Sequence, residues 1–178
     1  MLNELSVLKT VVKKLNKIKI PYMLSGSVAM NYYCIPRMTR DIDIVIELND
    51  AEIFYQIFKQ DFYVDLETVK NSISEKSMFN IIHLKEIIKI DFIIRKDSNY
   101  RRTEFRRKKK IKINSIEIFI VSIEDLILSK LVWAKDSYSE IQLKDVKNLI
   151  REKVDLKYIK KWASCLQIES LLEEVLNE

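Results

Sequence analysis

One glycine stands in 178 residues: Gly26, in the run Leu24-Ser25-Gly26-Ser27-Val28-Ala29-Met30. At ordinary usage, about 7%, a chain of this length holds about a dozen. Every other turn must be made by residues that carry side chains. A position that keeps glycine against that bias needs what glycine alone provides: a positive φ, or room for another group to come close to the backbone.

The remaining composition bounds the problem. With 48% hydrophobic and 32% charged residues, the chain can build one compact domain, or a domain with a helical appendix. No run of eighteen apolar residues occurs, so no membrane partner is expected. The start, Met1-Leu2-Asn3-Glu4-Leu5, lacks the basic flank and apolar block of a signal peptide. Cys34 and Cys165 lie far apart and outside any metal-binding spacing. A reduced, cytoplasmic protein is the expectation. Lysine and arginine exceed aspartate and glutamate by 31 to 26, and the excess is concentrated in one segment.

Apolar positions at Leu2, Leu5, Leu8, Val11, Val12, Leu15 and Ile18 predict a helix over 2–18. A short strand over 21–24, a turn at 25–27 and a helix over 28–33 follow. Residues 34–39 read as a loop, 42–46 as a strand, 51–60 as a helix and 62–66 as a short strand. Two β-rich runs, 79–84 and 87–94, flank Lys85-Glu86 as a hairpin. In the second, Lys89, Asp91 and Ile93 share one face. Residues 95–110 read as a charged loop and 116–121 as the last strand. Ser122 caps a helix with Asp125 at its third position, and helices over 123–134, 139–151, 155–163 and 167–176 fill the rest. The fold class is α+β (α/β), with a soft boundary between a mixed core, 1–121, and a helical region, 122–178, packed on it.

Asp41 and Asp43 are two apart on a predicted strand, so they share a face with roots roughly 7 Å apart. Two carboxylates so placed repel unless water or a cation lies between them. Asp91, on another predicted strand, supplies a third if the strands are neighbours. Three converging carboxylates suit a pair of Mg²⁺ ions about 3.5–4 Å apart and phosphoryl transfer. Taken alone, Asp-X-Asp is more often just a solvated strand face. The context adds weight: a strand, a Gly-Ser turn and a helix N-terminus, where free N–H groups favour phosphate, precede the strand bearing Asp-X-Asp.

In that order the chain resembles the nucleotidyltransferase superfamily of the DNA polymerase β type, and within it the small bacterial members related to AbiEii toxins and minimal nucleotidyltransferases. The matching residues are Leu24-Ser25-Gly26-Ser27, Arg37-Met38-Thr39-Arg40, Asp41-Ile42-Asp43 and Ile90-Asp91-Phe92. A further match is Glu124-Asp125-Leu126-Ile127-Leu128-Ser129-Lys130-Leu131 with Gln142-Leu143-Lys144-Asp145-Val146. The resemblance covers about residues 20–150. It implies a nucleotidyltransferase-like mixed sheet flanked by helices. It also implies that Gly26 and Ser27 hold the triphosphate of an NTP, and that Lys130 points back toward the phosphates. By the same resemblance Asp41 and Asp43 bind Mg²⁺, and Asp91 binds the metal that activates an acceptor hydroxyl. The implied activity passes a nucleoside monophosphate to an RNA (a tRNA end, for example) or protein acceptor. A toxin–antitoxin or phage-defence setting, with a cognate toxin or antitoxin partner, follows from the resemblance alone.

Arg95 to Lys112 is the one dense basic stretch, with Tyr100 and Phe105 interleaved. It reads either as a track for a nucleic-acid backbone beginning near Asp91 or as a solvated loop. Asp145 and Arg37 read as site supports or as structural and surface residues, His83 as a surface strand residue, and Trp133 and Trp162 as core. The alternative to the enzyme is a non-catalytic nucleotide- or RNA-binding module, antitoxin-like, using the same residues.

Overall fold

A computed structural model of the chain describes residues 2–39, 41–113, 116–137 and 139–177. Helix α1 (Leu2–Lys17) buries Val7, Leu8, Val11, Val12 and Leu15. Strand β1 (Tyr22–Ser25) is buried along its length and runs directly into α2 (Gly26–Tyr33). Then come β2 (Asp41–Ile46), α3 (Ala51–Phe58), β3 (Phe62–Tyr63), α4 (Leu66–Glu75), β4 (Met78–His83) and β5 (Lys89–Ile94). Helix α5 (Asn99–Arg106), β6 (Lys109–Ile113) and β7 (Ile116–Ile120) complete the mixed portion. The chain closes with α6 (Ile123–Ser137), α7 (Glu140–Ile150), α8 (Leu156–Leu166) and α9 (Glu169–Asn177).

Among the described residues, seven strands form one sheet in the order β3-β4-β5-β2-β1-β7-β6. β2 runs antiparallel to β1 and parallel to β5; β7 runs parallel to β1. The central strands are therefore covered on both faces and rich in isoleucine, as buried parallel strands are. Phe54, Phe58, Phe79 and Phe92 form a ring cluster beneath α3, with centroids 4.4–5.9 Å apart. Helix α6 lies against α2, and α7, α8 and α9 gather around α6. No helix among the described residues is long and apolar enough to cross a membrane.

The α+β architecture and the hairpin agree with the sequence. Several local expectations do not. The strand expected over 62–66 ends at Tyr63, and Asp65 instead caps α4 by accepting from the Thr68 N–H at 2.7 Å. The stretch 95–110 is not a loop. Ser98 caps α5, accepting from Arg101 N at 3.2 Å, and the basic residues beyond it enter β6. Trp133 is not core: it is 52% exposed. Trp162 packs beside Tyr100 and Tyr158. His83 meets the Phe62 ring, and its Nδ1 accepts from the Glu86 N–H at 3.1 Å, closing the hairpin turn.

With so little glycine, the chain takes left-handed backbone on side-chain-bearing residues. Lys19, Lys76, Ile87 and Gln167 all have φ between 52° and 56°, each at a cost of roughly 1–2 kcal/mol. Gly26 has φ 61°. Positive φ alone therefore does not explain why glycine is kept at 26.

Candidate active site

What does explain it is Asp43. A Cβ built on Gly26 would overlap the Asp43 carboxylate and come within 2.8 Å of the Asp43 Cβ. The antiparallel register sets Ser25 opposite Asp43, and the parallel register sets Asp43 opposite Asp91. Ser25, Asp43 and Asp91 thus form a row across three strands, about 4.8 Å from one to the next. Gly26 closes the row from the α2 side. Ser25 makes no side-chain cap on α2, so the first-turn N–H groups of that helix receive no such bond.

The row is short of compensation. Asp91 is 7% exposed, and its Oδ1 has no hydrogen-bond partner among the described residues. Its Oδ2 meets Lys89 Nζ at 2.9 Å, and the same ammonium lies 3.6 Å from Asp41 Oδ2. Lys89, two residues before Asp91 on the same face, therefore bridges Asp41 and Asp91, and the bond it donates to Asp91 raises its pKa. The Asp43 carboxyl is pushed up, first by burial and next by the charge of Asp91; Lys130 pulls it back. No group of three His, Cys, Asp or Glu side chains among the described residues is set to hold a metal ion as it stands.

A second layer lies behind Ser27. Its hydroxyl accepts from Arg37 Nη2 at 2.8 Å. The Arg37 guanidinium forks onto Asp145, Nε to Oδ1 at 3.0 Å and Nη2 to Oδ2 at 2.8 Å. Asp145 Oδ2 also receives Lys130 Nζ at 2.7 Å, and Lys130 donates to Gln142 Oε1 at 3.0 Å. Asn31 clasps the Arg37 backbone, donating to its C=O and accepting from its N–H. Burial works to raise the Asp145 pKa, but the bonds from Arg37 and Lys130 outweigh it and hold it low. Asp145 is buried rather than a surface carboxylate, and the motif residues Ser27, Arg37, Lys130 and Asp145 are joined in one chain of bonds.

Of the site residues expected from the sequence, Gly26, Asp43 and Asp91 are brought side by side, and Asp41 reaches them through Lys89. Ser27 and Lys130 sit behind them, tied through Arg37 and Asp145. Arg40 lies outside the described residues. Sequence reasoning does not single out Lys89 or Asn31. The alternation that puts Lys89 on the Asp91 face is visible in the sequence, but its partners are not.

Solved structures share this arrangement of elements. The antibiotic-resistance factor ANT(2'')-Ia matches with a TM-score of 0.68 at 9% identity, over 97% of this chain and 95% of its own. An antigenic nucleotidyltransferase-like protein from Paracoccidioides brasiliensis matches at 0.58 and 16% identity, over 98% and 93%. The lincosamide antibiotic adenylyltransferase LnuA, lincomycin-bound, matches at 0.54 and 16%, over 80% and 93%. The fold is that of the nucleotidyltransferases. No family model matches the sequence, and no curated protein does. Within this nucleotidyltransferase fold, the Gly26–Asp43–Asp91 row stands at the junction of β1 with α2.

Proposed function

We propose that the chain is a Mg²⁺-dependent nucleotidyltransferase that moves a nucleoside monophosphate from an NTP to an RNA or protein acceptor. The observation that carries this reading is the row itself: a glycine retained because a carboxylate rests on it, with a second carboxylate beside that one short of a partner. The orphaned Asp91 Oδ1 and the paired Asp43 and Asp91 suit a hard cation, which takes oxygen ligands. Asp41, Asp43 and Asp91 would hold it. Mg²⁺ there would neutralise charge on the phosphates and acidify the acceptor hydroxyl. Lys89 brings a positive charge to Asp41 and Asp91 beside it.

The chain's own groups do the rest. Gly26 and the first-turn amides of α2 receive phosphate oxygens. Arg37 orients the Ser27 hydroxyl, and Asp145 holds Arg37 and Lys130 in place while Lys130 keeps its charge near Asp43. The acceptor hydroxyl gives its proton to solvent and its oxygen bonds to the α-phosphorus, the bond from that phosphorus to the bridging β-phosphate oxygen breaks, and pyrophosphate leaves with that bond's electron pair. The cysteines Cys34 and Cys165 are free thiols, which suits a reducing cytoplasm. A toxin–antitoxin or phage-defence role rests on the likeness of residues 124–131 and 142–146 to the AbiEii group.

The test is label transfer from each α-labelled NTP with Mg²⁺. The acceptor panel is total RNA, cell protein, a lincosamide and an aminoglycoside, since solved structures of this fold include antibiotic adenylyltransferases. Transfer should fall on the order of 10²–10³-fold or more in Asp43→Asn, the scale of losing one electrostatic stabiliser. Gly26→Ala should lose it too, because the new methyl displaces Asp43. One observation favours a second reading, a nucleotide- or RNA-binding module without catalysis: Lys89 already bridges two of the three carboxylates. Tight RNA binding indifferent to Asp43→Asn, with no transfer from any NTP, would establish that reading.

A further inference from the structure

The basic segment divides into residues the fold uses and residues it leaves. Arg101 is half-buried against Glu104, bonding both carboxylate oxygens and Ser129 Oγ at 2.7–3.0 Å. Arg107 is held by Asp125 and Glu124 at 2.9 and 3.1 Å. Arg95 pairs with Glu47 at 2.6 Å and Asp97 at 3.0 Å. Arg102, Arg106 and Lys108 have no carboxylate partner among the described residues. Arg106 reaches only Thr103 Oγ1, at 3.5 Å. Lys108 donates to the Phe105 carbonyl at 3.4 Å and lies 3.8 Å over the Phe105 ring. Burial lowers its pKa, and the charge of Glu47 acts against it.

These residues surround one depression. Glu47, Arg95, Arg102, Phe105 and Arg106 line a cavity of about 220 Å³, and Lys108 covers Phe105. Three arginines and one carboxylate, Glu47, line it, and Asp97 pairs with Arg95 beside it. Arg102 and Arg106 are one helical turn apart, about 6 Å along the axis, the order of separation of successive phosphates on a strand. The depression is not at the carboxylate row. Arg95 N donates to Ile46 O at 2.9 Å, beyond the opposite end of β2, about 13 Å along the strand from Asp43 at 3.3 Å per residue. The expectation that the basic segment begins near Asp91 is therefore corrected: β5 carries the chain away from the row before the segment starts.

We propose that the Arg95–Arg102–Arg106 depression is a second, phosphate-recognising site, remote from the carboxylate row. Its phosphate belongs either to a polynucleotide backbone or to a small phosphoester. Guanidiniums suit it because their donors fork onto phosphate oxygens. The site stands independently of nucleotidyl transfer, since its residues touch none of those assigned to the reaction.

The test is fluorescence anisotropy of the full chain with a labelled single-stranded RNA of about 12 nucleotides, within the footprint such grooves take. Inorganic phosphate and ATP serve as competitors. Wild-type affinity should fall steeply with salt. Arg102→Ala/Arg106→Ala should weaken binding about tenfold or more and flatten the log–log salt slope by about 1.4, at about 0.7 for each phosphate no longer neutralised. Both side chains are exposed, so the variant's thermal melt should match wild type. Arg102→Lys/Arg106→Lys should keep the slope, and Asp43→Asn should bind RNA as wild type does. If RNA does not bind but inorganic phosphate protects wild type from thermal unfolding and not the double alanine variant, the ligand is a small phosphoester at the same site. Binding that survives the double alanine variant, or is lost in Asp43→Asn alone, overturns the proposal, as does a wild type that binds neither ligand.

Discussion

Two buried aspartates, Asp125 and Asp91, sit in comparable surroundings and are treated in opposite ways. Asp125 Oδ2 receives Ser122 Oγ at 2.6 Å and Arg107 Nε at 2.9 Å, and Oδ1 receives Tyr158 OH at 2.7 Å. Its backbone N–H donates to Ser122 Oγ, and its carbonyl accepts from Tyr100 OH. Arg107 also lies over the Tyr158 ring, 3.9 Å from its centroid. One carboxylate thereby joins α5, α6 and α8. Asp91, nearly as buried, has one oxygen with no partner and another held by a half-exposed lysine. Buried polar groups are normally satisfied, because leaving one bare costs about 1–3 kcal/mol. A carboxylate completed by its own chain is structural. One left incomplete beside a second carboxylate is a candidate place for a ligand.

The comparison breaks first at Asp125 if it is wrong. Asp125→Ala strips Arg107 and Tyr158 of their shared partner. It should cost about 3 kcal/mol, the upper end of the cost of leaving buried polar groups without a partner, read as a fall in denaturant midpoint. A loss below about 1 kcal/mol, the size of an ordinary hydrogen bond, would mean that the node is not what fastens α8 to the core.

Lys89 sharpens the other half. The Lys89 ammonium lies between Asp41 and Asp91, so Lys89→Met should destabilise by about 1–3 kcal/mol, as for a buried charge short of a partner. Mg²⁺ should then raise the melting temperature of Lys89→Met by more than it raises that of wild type, since the ion replaces the lost charge. Equal responses in the two proteins would make the lysine bridge incidental.

The two regions also differ in how much of them the sequence discloses. Ser122 with Asp125 three residues on is a local cap, and it forms as the spacing predicts. Gly26 and Asp-X-Asp are likewise local, and strand alternation correctly puts Lys89 and Asp91 on one face. The bonds that make each node are not local. Arg37 and Asp145 are 108 residues apart, and Tyr158 reaches Asp125 across 33. Helix α5 is hidden for a related reason. Its buried face carries Tyr100, Glu104 and Phe105, and Glu104 is admitted there only because Arg101 and Ser129 meet it. A charge pattern that is apolar only after pairing has no hydrophobic period to read.

The smallest effect expected is in the pH dependence of stability, and it separates the front of the site from its support. Asp43 has a raised pKa, so below the ordinary carboxylate value both folded and unfolded states carry its proton and it contributes nothing. As pH rises through that value the unfolded chain ionises first. Stability then falls until Asp43 itself ionises, and the deficit persists above. Asp145 has a lowered pKa and the opposite sign: its contribution is present above the ordinary value and is lost as pH falls toward its depressed one. Melts of wild type, Asp43→Asn and Asp145→Asn across the acidic range should therefore give difference curves that bend in opposite directions. Asp43→Asn should gain relative to wild type toward neutral pH, while Asp145→Asn loses. Curves of the same sign would mean that burial and the charge of Asp91 do not hold Asp43 short of compensation, and the contrast with Asp125 would lose its physical basis.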